Sequence, residues 1–198
     1  MFHLEDDGAP LRIVGIDPGT DTVGFAVIDL DLLTGVMSIG DVRTLVGSER
    51  LRYYHHRRAI HGDRFVRLQL LKELLIQEFC RLEPNLIISE SPYFNPRRPG
   101  AFSALVEAIT MVQQAVYAYH PYKALQYVDP AKAKANIGVS GKSGDKEAIG
   151  PALAKAPYLA GSPRLAALPM WDEHSRDALA IAYYQACVIR SQLSLPTS

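Results

Sequence analysis

Two acidic residues follow apolar runs of the chain directly, a position from which a carboxylate can act on a ligand. Asp17 ends the run 13–16, and Glu90 ends the run 86–89. An acid directly after a buried strand is costly unless its charge is compensated, and a divalent cation held by oxygen ligands is one such compensation. Asp17 has an alternative interpretation, because the Asp-Pro-Gly turn that it begins can instead supply amide hydrogen bonds to its carboxylate.

A histidine and a third acid form a pair near the end of the chain. His174 and Asp177 are three residues apart in a helical pattern, so they share one helical face. Together with the two strand-end acids they can hold two Mg²⁺ ions, with Mn²⁺ as a substitute. Two metal ions about 3.5–4 Å apart activate water and stabilise the leaving oxygen in phosphodiester hydrolysis. Glu173, four residues before Asp177, is an alternative to His174 as the fourth ligand.

Positive charge is concentrated between residues 48 and 67, which contain six arginines against Glu49 and Asp63, with three histidines and two tyrosines interleaved. This mixture suits contacts to phosphates and bases, although a solvated helical face has the same composition. A solvated loop is likewise an alternative for Lys142. The residues predicted to contact DNA, in this segment and in later loops, are Arg57, Arg58, Arg64, Arg97, Arg98, Lys134, Lys142 and Lys146.

Composition describes an ordinary soluble protein of 198 residues, predicted to form a single domain over 1–198 with a loose leader at 1–10. Formal net charge is zero, so a nucleic-acid partner has to be recognised through local charge. The sequence has no signal-like leader and no apolar run near the roughly 20 residues that span a bilayer, which predicts a cytoplasmic protein without a membrane partner. Cys80 and Cys187 lie in apolar helical patterns and are predicted to be buried, reduced thiols.

Periodicity predicts the elements that position these residues, in an α/β arrangement with a five-stranded mixed sheet. A hairpin and a third strand form an antiparallel meander, and a strand that follows a helix should lie parallel to the first. The stretch 150–169, rich in Ala and Pro, has no clear assignment. The predicted strands are 13–17, 23–28, 36–45, 86–90 and 124–128, and the predicted helices begin near residues 65, 101, 130, 146 and 172.

With these motifs in place, the chain resembles the RuvC-type Holliday junction resolvases of the ribonuclease H-like superfamily. The resemblance rests on the motif from Gly15 to Thr20 and Gly24 after it, on Glu90 at the end of the fourth strand, and on the run from Asp177 to Ala182. It is supported by Pro130, Lys134, Gly141 and Lys146. It implies a ribonuclease H-like sheet with helices on both faces. It also implies a metal site at Asp17, Glu90, His174 and Asp177, where many members carry Asp in place of His174.

The resemblance further implies a Mg²⁺-dependent endonuclease that acts on branched DNA as a homodimer. The Arg-rich segment looks expanded, which marks a divergent member from a phage or another mobile element. A fork or flap endonuclease that makes single cuts, and a non-catalytic junction-binding protein, are the alternatives, although a non-catalytic descendant has no need of three converging carboxylates. An actin-like ATPase or sugar kinase opens with a similar hairpin but needs two such domains.

The homodimer interface is predicted on the helix at 101–119, which is apolar on nearly every side. One face of that helix can cover the sheet and leave apolar surface on the other face for a second copy. The alternative is that the stretch 150–169 buries this second face within one chain.

Overall fold

A mixed sheet of five strands forms the centre of the computed structural model, which describes residues 8–93, 99–140 and 145–193. The strand order is β3-β2-β1-β4-β5. Within it β1 is antiparallel to β2 and parallel to β4, while β5 is parallel to β4. The strands are β1 (Leu11–Asp17), β2 (Thr22–Leu30), β3 (Met37–Val46), β4 (Leu86–Glu90) and β5 (Leu125–Val128).

Helices cover both faces of the sheet, and each face has its own apolar core. α2 and α3 pack on one face around Phe25, Leu71 and Phe79. α4, α5 and α6 pack on the other face around Ile28, Leu153 and Leu179. The helices are α1 (His55–His61), α2 (Asp63–Leu82), α3 (Pro99–Tyr119), α4 (Pro130–Asn136), α5 (Ile149–Ala154) and α6 (Glu173–Gln192), with 3-10 helices at Ser48–Tyr53, Asp145–Ala148 and Pro163–Met170.

The predicted fold class is therefore confirmed, including the antiparallel meander and the parallel fourth strand. The pairing of β2 with β3 contains a bulge. Ala26 pairs with Val42 and Ile28 with Ile39, so the strand continues past the extra residues opposite Val27. An extra residue in one strand strengthens its local twist.

The stretch 150–169 was not assignable from periodicity because it folds as short helices that depend on the sheet for their burial. Leu153, Leu159 and Leu168 lie in the same core as α6. This stretch therefore covers the face opposite α3, and it cannot bury the second face of α3 as the alternative required.

The outward face of α3 is less apolar than the sequence predicted. Val112, Ala115 and Val116 are buried in the core with α2. Val106 and Tyr117 are the large apolar residues left exposed on α3, at 38% and 69%. Polar side chains are exposed along the same helix, namely Ser103, Glu107, Thr110, Gln113 and Gln114.

The two cysteines lie in different surroundings. The prediction that Cys80 is buried is wrong: it is exposed because it follows Phe79 onto the solvent side of α2, while Cys187 is partly buried. None of the helices in the described ranges combines the length and apolar character needed to cross a membrane.

Candidate active site

Asp17 lies at the carboxyl end of the central strand, where the chain leaves the sheet. Ile13, Val14 and Ile16 are completely buried, alternating between the two cores, so β1 has a fixed register. Asp17 itself is opposite Gly24 of β2, and its side chain is 14% exposed. A nearly buried carboxylate is thus held at one end of the sheet, the end at which the parallel strands β1, β4 and β5 have their carboxyl ends. This end is called the edge of the sheet below.

The first turn of α6 is fixed over this edge by a side-chain cap. Asp172 accepts a hydrogen bond from the Ser175 amide at 2.9 Å, as an N-cap residue does. The Thr44 hydroxyl donates to the same carboxylate at 2.6 Å, which ties the start of the helix to β3. The direction and position of His174 and Asp177 therefore depend on the sheet.

Two glycines allow α6 to approach the sheet closely enough to reach Asp17. A Cβ atom on Gly24 would collide with the carbonyl oxygen of His174, and one on Gly15 would collide with that of Ala178. Any larger residue at either position would push the helix outward. The Gly15 and Gly24 that supported the family resemblance thus have a direct steric role in bringing α6 to the acids.

His174 contacts the first acid directly. Its Nδ1 atom lies 2.8 Å from Oδ2 of Asp17. This hydrogen bond, partly opposed by burial, raises the pKa of His174 above its usual value. The contact places His174 against Asp17, whereas the sequence left His174 and Glu173 as alternatives.

Glu90 shows that the three predicted acids share one electrostatic environment. Burial, followed by the negative charges of Asp17 and Asp177, raises the pKa of Glu90 to about 8. Lys134 opposes this shift. The three carboxylates are therefore close enough to repel one another, and Lys134 of α4 is close enough to offset part of that repulsion.

Asp129 is an acid at this edge that the sequence analysis did not include. It follows β5 directly, and Glu90 pairs with the preceding residue, Val128. Its charge adds to the rise in the pKa of Glu90, and its side chain accepts a hydrogen bond from the Ala131 amide at 2.7 Å. The signal was present in the sequence, because Asp129 directly follows the predicted strand 124–128, and Asp17 and Glu90 likewise end apolar runs.

The donor set fits a hard divalent cation by its chemistry. Carboxylate oxygens are the ligands that such ions prefer, and a cation would relieve the repulsion recorded by the pKa of Glu90. In the part of the chain that the structure describes, no three acidic, histidine or cysteine side chains are already arranged around one metal position. Oδ2 of Asp17 is instead engaged by His174.

The Arg-rich segment reaches the same edge of the sheet. Arg67 of α2 forms an ion pair with Asp21 of the β1–β2 turn at 3.5 Å, and the Gly47 amide donates to the Asp21 carbonyl oxygen at 2.8 Å. The start of α2, and α1 before it, therefore lie on the side of the molecule from which Asp17 emerges.

The predicted DNA contacts of this segment differ in their surroundings. Arg58 pairs with Asp63 and Arg64 pairs with Glu107, each at 2.8 Å. The exposed Arg57 lies over the ring of Tyr54, 5.1 Å from its centroid. Arg97, Arg98 and Lys142 lie outside the described residues, as does the side chain of Lys146.

Sheet order, strand directions and helices on both faces define a ribonuclease H-like α/β fold. Neither a protein-family model nor a curated protein sequence matches the chain. Among solved structures, the chain is similar to RuvC of Thermus thermophilus in complex with a Holliday junction substrate, with a TM-score of 0.64 and 19% identity. That match covers 94% of this chain and 99% of the other.

Two further solved structures show the same similarity. The yeast mitochondrial Holliday junction resolvase has a TM-score of 0.59 at 16% identity, with 96% of this chain and 83% of that chain covered. The Holliday junction resolvase of fowlpox virus has a TM-score of 0.55 at 11% identity, with 92% and 99% covered. The resemblance found in the sequence is thus confirmed at the level of the fold, which this chain shares with Holliday junction resolvases.

A stability measurement can test the environment of Glu90. Its folded-state pKa of about 8 lies above the ordinary value of 4.5, so ionisation should destabilise the metal-free protein progressively between those two pH values. We expect Glu90→Gln to raise the Tm by several degrees at about pH 9 in chelator, and by little at about pH 4.5. Thermal unfolding across this range is the measurement; an equal gain at both ends would contradict the assigned environment.

Proposed function

We propose that this protein is a divalent-metal-dependent endonuclease of branched DNA that resolves four-way junctions by paired nicks. The observation that carries the proposal is geometric: Asp17 and Glu90 end adjacent parallel strands, and His174 at the start of α6 contacts Asp17 at 2.8 Å. The raised pKa of Glu90, to which Asp17 and Asp177 contribute, agrees with this arrangement. The fold, shared with Holliday junction resolvases, supports this assignment.

Asp17, Glu90 and Asp177 would hold two Mg²⁺ ions in this proposal, with His174 as a fourth group and Mn²⁺ as a substitute ion. The metal supplies activation of water and stabilisation of the charge on the leaving oxygen in phosphodiester hydrolysis. The carboxylates bind and orient through oxygen, and their mutual repulsion favours cation binding over an empty site.

Two further residues near the acids have proposed roles, one in orienting a carboxylate and transferring a proton, the other in binding phosphate. A hydrogen bond joins Nδ1 of His174 to Oδ2 of Asp17 and orients the carboxylate of Asp17. With Nδ1 donating, Nε2 is the basic nitrogen and the atom at which a proton is taken up or released. Lys134, whose charge already reaches Glu90, is the proposed phosphate contact nearest the acids.

A homodimer follows from the symmetry of the proposed substrate. A four-way junction is resolved by two matched nicks, and a chain with one acid cluster needs a symmetric partner to make both. The proposed interface is the outward face of α3, where Val106 and Tyr117 are exposed among polar side chains. Its mixed character is compatible with an interface, since interfaces as a whole are only about as apolar as other protein surface.

A cleavage assay on three DNA shapes tests the proposed function. Purified protein is incubated in Mg²⁺ with end-labelled four-way, three-way and linear DNA of the same sequence. We expect symmetric cuts in the four-way DNA, and binding without cutting when Ca²⁺ replaces Mg²⁺, because Ca²⁺ is larger and less strict in its geometry. Single cuts confined to three-way DNA would indicate the flap or fork enzyme instead, and binding without cleavage in Mg²⁺ would indicate a non-catalytic protein.

The role of His174 is testable through the pH dependence of cleavage. If its neutral form is needed, activity should fall as the ring protonates, at or above its ordinary pKa of about 6.5, because the contact with Asp17 raises the pKa of His174. We expect His174→Asp to flatten this acid limb while retaining cleavage. Single-turnover rates from about pH 5.5 to 9 provide the measurement. Superimposable acid limbs for the two proteins would move the role to Glu173.

A further inference from the structure

A small cleft lies between α1 and α2, outside the group of acids. Its volume is about 230 Å³, and it is lined by Arg57, His61, Phe65, Val66, Gln69 and Leu70. Its apolar part is preformed, because Val66 and Leu70 are 3% and 2% exposed and form a small core with Leu51. Ligand sites for drug-sized molecules are typically about 300–1,000 Å³, so this cleft suits a smaller planar group.

The rim of the cleft combines aromatic surface with positive charge. Phe65 is 49% exposed, and its ring centroid lies 5.3 Å from that of His61. Arg57, on the same face of α1 as His61, is exposed above the Tyr54 ring. An exposed ring next to an arginine is the combination with which proteins bind single-stranded nucleic acid, because each base stacks and each phosphate pairs with charge.

Charge in the surrounding segment favours an anionic occupant over an apolar peptide. Residues 48–67 carry six arginines and three histidines against two acids. Three of those arginines are already paired with acids, namely Arg58 with Asp63, Arg64 with Glu107 and Arg67 with Asp21, whereas Arg57 lies over the Tyr54 ring. A bound phosphate would therefore meet uncompensated positive charge from Arg57 at the rim.

The segment of α2 that lines the cleft also includes a contact to the turn that follows Asp17. Val66 and Leu70 are four positions apart on α2, and Arg67 between them pairs with Asp21 of that turn. The start of α2, which borders the cleft, is therefore next to the β1–β2 turn.

We propose that the cleft between α1 and α2 binds one unpaired nucleotide of DNA, with its base against Phe65 and its phosphate on Arg57. The statement that this nucleotide belongs to the strand being cut rests on the proposed function. The affinity of the cleft for single-stranded DNA is independent of that function. The cleft adds a preference for branched DNA that has an unpaired base beside the branch.

Binding of a short labelled oligo-thymidine to the full chain, in chelator and followed by fluorescence anisotropy, tests the proposal. Phe65→Ala should weaken binding at least about fivefold through the loss of stacking, and Phe65→Tyr, which keeps the ring, should restore it. Arg57→Ala should reduce the slope of log affinity against log salt by roughly 0.7, the value for one phosphate contact on a single strand. Thermal unfolding of each variant checks that the fold is retained.

Matched controls on the same segment separate the cleft from its general charge. Ile60→Ala removes an exposed apolar side chain of α1 that does not line the cleft, and Arg52→Ala removes an arginine that lies over Tyr53 instead. Both should bind oligo-thymidine within about twofold of the unaltered protein.

The outcomes distinguish this proposal from the proposed function. If Phe65→Ala binds oligo-thymidine as tightly as the unaltered protein, the cleft is not a nucleotide site, whether or not junctions are cleaved. If Phe65→Ala weakens binding but no branched DNA is cleaved in Mg²⁺, the cleft stands and the proposed nuclease does not. Equal competition by poly-glutamate at matched charge would overturn the proposal, because it would indicate a general anion surface.

Discussion

Replacement of Asp17 with Asn is expected to reduce cleavage of a four-way junction in Mg²⁺ by at least about a hundredfold, comparable to the loss of a group that stabilises transition-state charge. Asn keeps the size of the side chain and its hydrogen bond to His174, so the fold should remain intact. Junction binding should persist or become tighter, because one source of repulsion between carboxylate and phosphate is removed. Initial rates and binding curves on the same labelled junction provide the two measurements.

Asp21→Asn is the matched control for this variant. Asp21 belongs to the same β1–β2 turn but pairs with Arg67, and its side chain is 51% exposed. Its replacement should leave cleavage within a few-fold of the unaltered protein. A rate for Asp17→Asn within a few-fold of the unaltered protein would remove Asp17 from the proposed site. A hundredfold loss in both variants would show that the loss is not particular to the Asp17 carboxylate.

Mixed dimers of the unaltered chain and Asp17→Asn are expected to nick one strand of a junction without releasing linear products. The reason is that each acid cluster acts on one strand, and separation of the arms requires both cuts. Differently tagged chains allow the mixed dimers to be purified, and denaturing and native gels then count nicks and released products. Sedimentation of the unaltered protein should give twice the chain mass of 21.8 kDa.

A protein that sediments as a monomer even on junction DNA would contradict the paired-nick mechanism and favour single cuts at forks or flaps. Tyr117→Glu provides a variant of the interface that leaves the acids untouched. Tyr117 is 69% exposed on α3, so a charge there should not disturb the core. If α3 is the interface, this variant should weaken the dimer and reduce the release of linear products, while single nicks continue.

Local patterns in the sequence were sufficient for most of the architecture. The apolar runs before Asp17 and before Glu90 predict two strands that are buried on both faces of the sheet. A shift of one residue would move every side chain to the opposite face, so the packing fixes the register of each strand. The last helix was predicted to begin near residue 172 and begins at Glu173, because its apolar spacing is a local pattern of the sequence. By contrast, residues 150–169 have no period of their own, since their burial depends on the opposing sheet and α6.

Which residues meet at the site was only partly determined by the sequence. The acids at strand ends and the His-x-x-Asp spacing are local features, and they identified Asp17, Glu90, His174 and Asp177 as candidates. The tertiary structure decided that His174 contacts Asp17, which depends on how closely α6 approaches the sheet. It also decided that Asp129 lies near Glu90, which depends on the pairing of β4 with β5. Glycines at positions 15 and 24 allow the approach of α6, and a sequence pattern does not report such a distance.

Electrostatic state and surface availability were decided by tertiary structure alone. The pKa of Glu90 depends on burial and on charges carried by other elements, which no local pattern contains. The same holds for the arginines, which the sequence presented as one positive cluster: the fold pairs Arg64 with Glu107 of α3, a residue more than forty positions away, and leaves Arg57 exposed beside a cleft. Sequence determines which side chains each element carries. Long-range packing determines which of the charged ones are paired with an opposite charge and which remain able to bind a ligand.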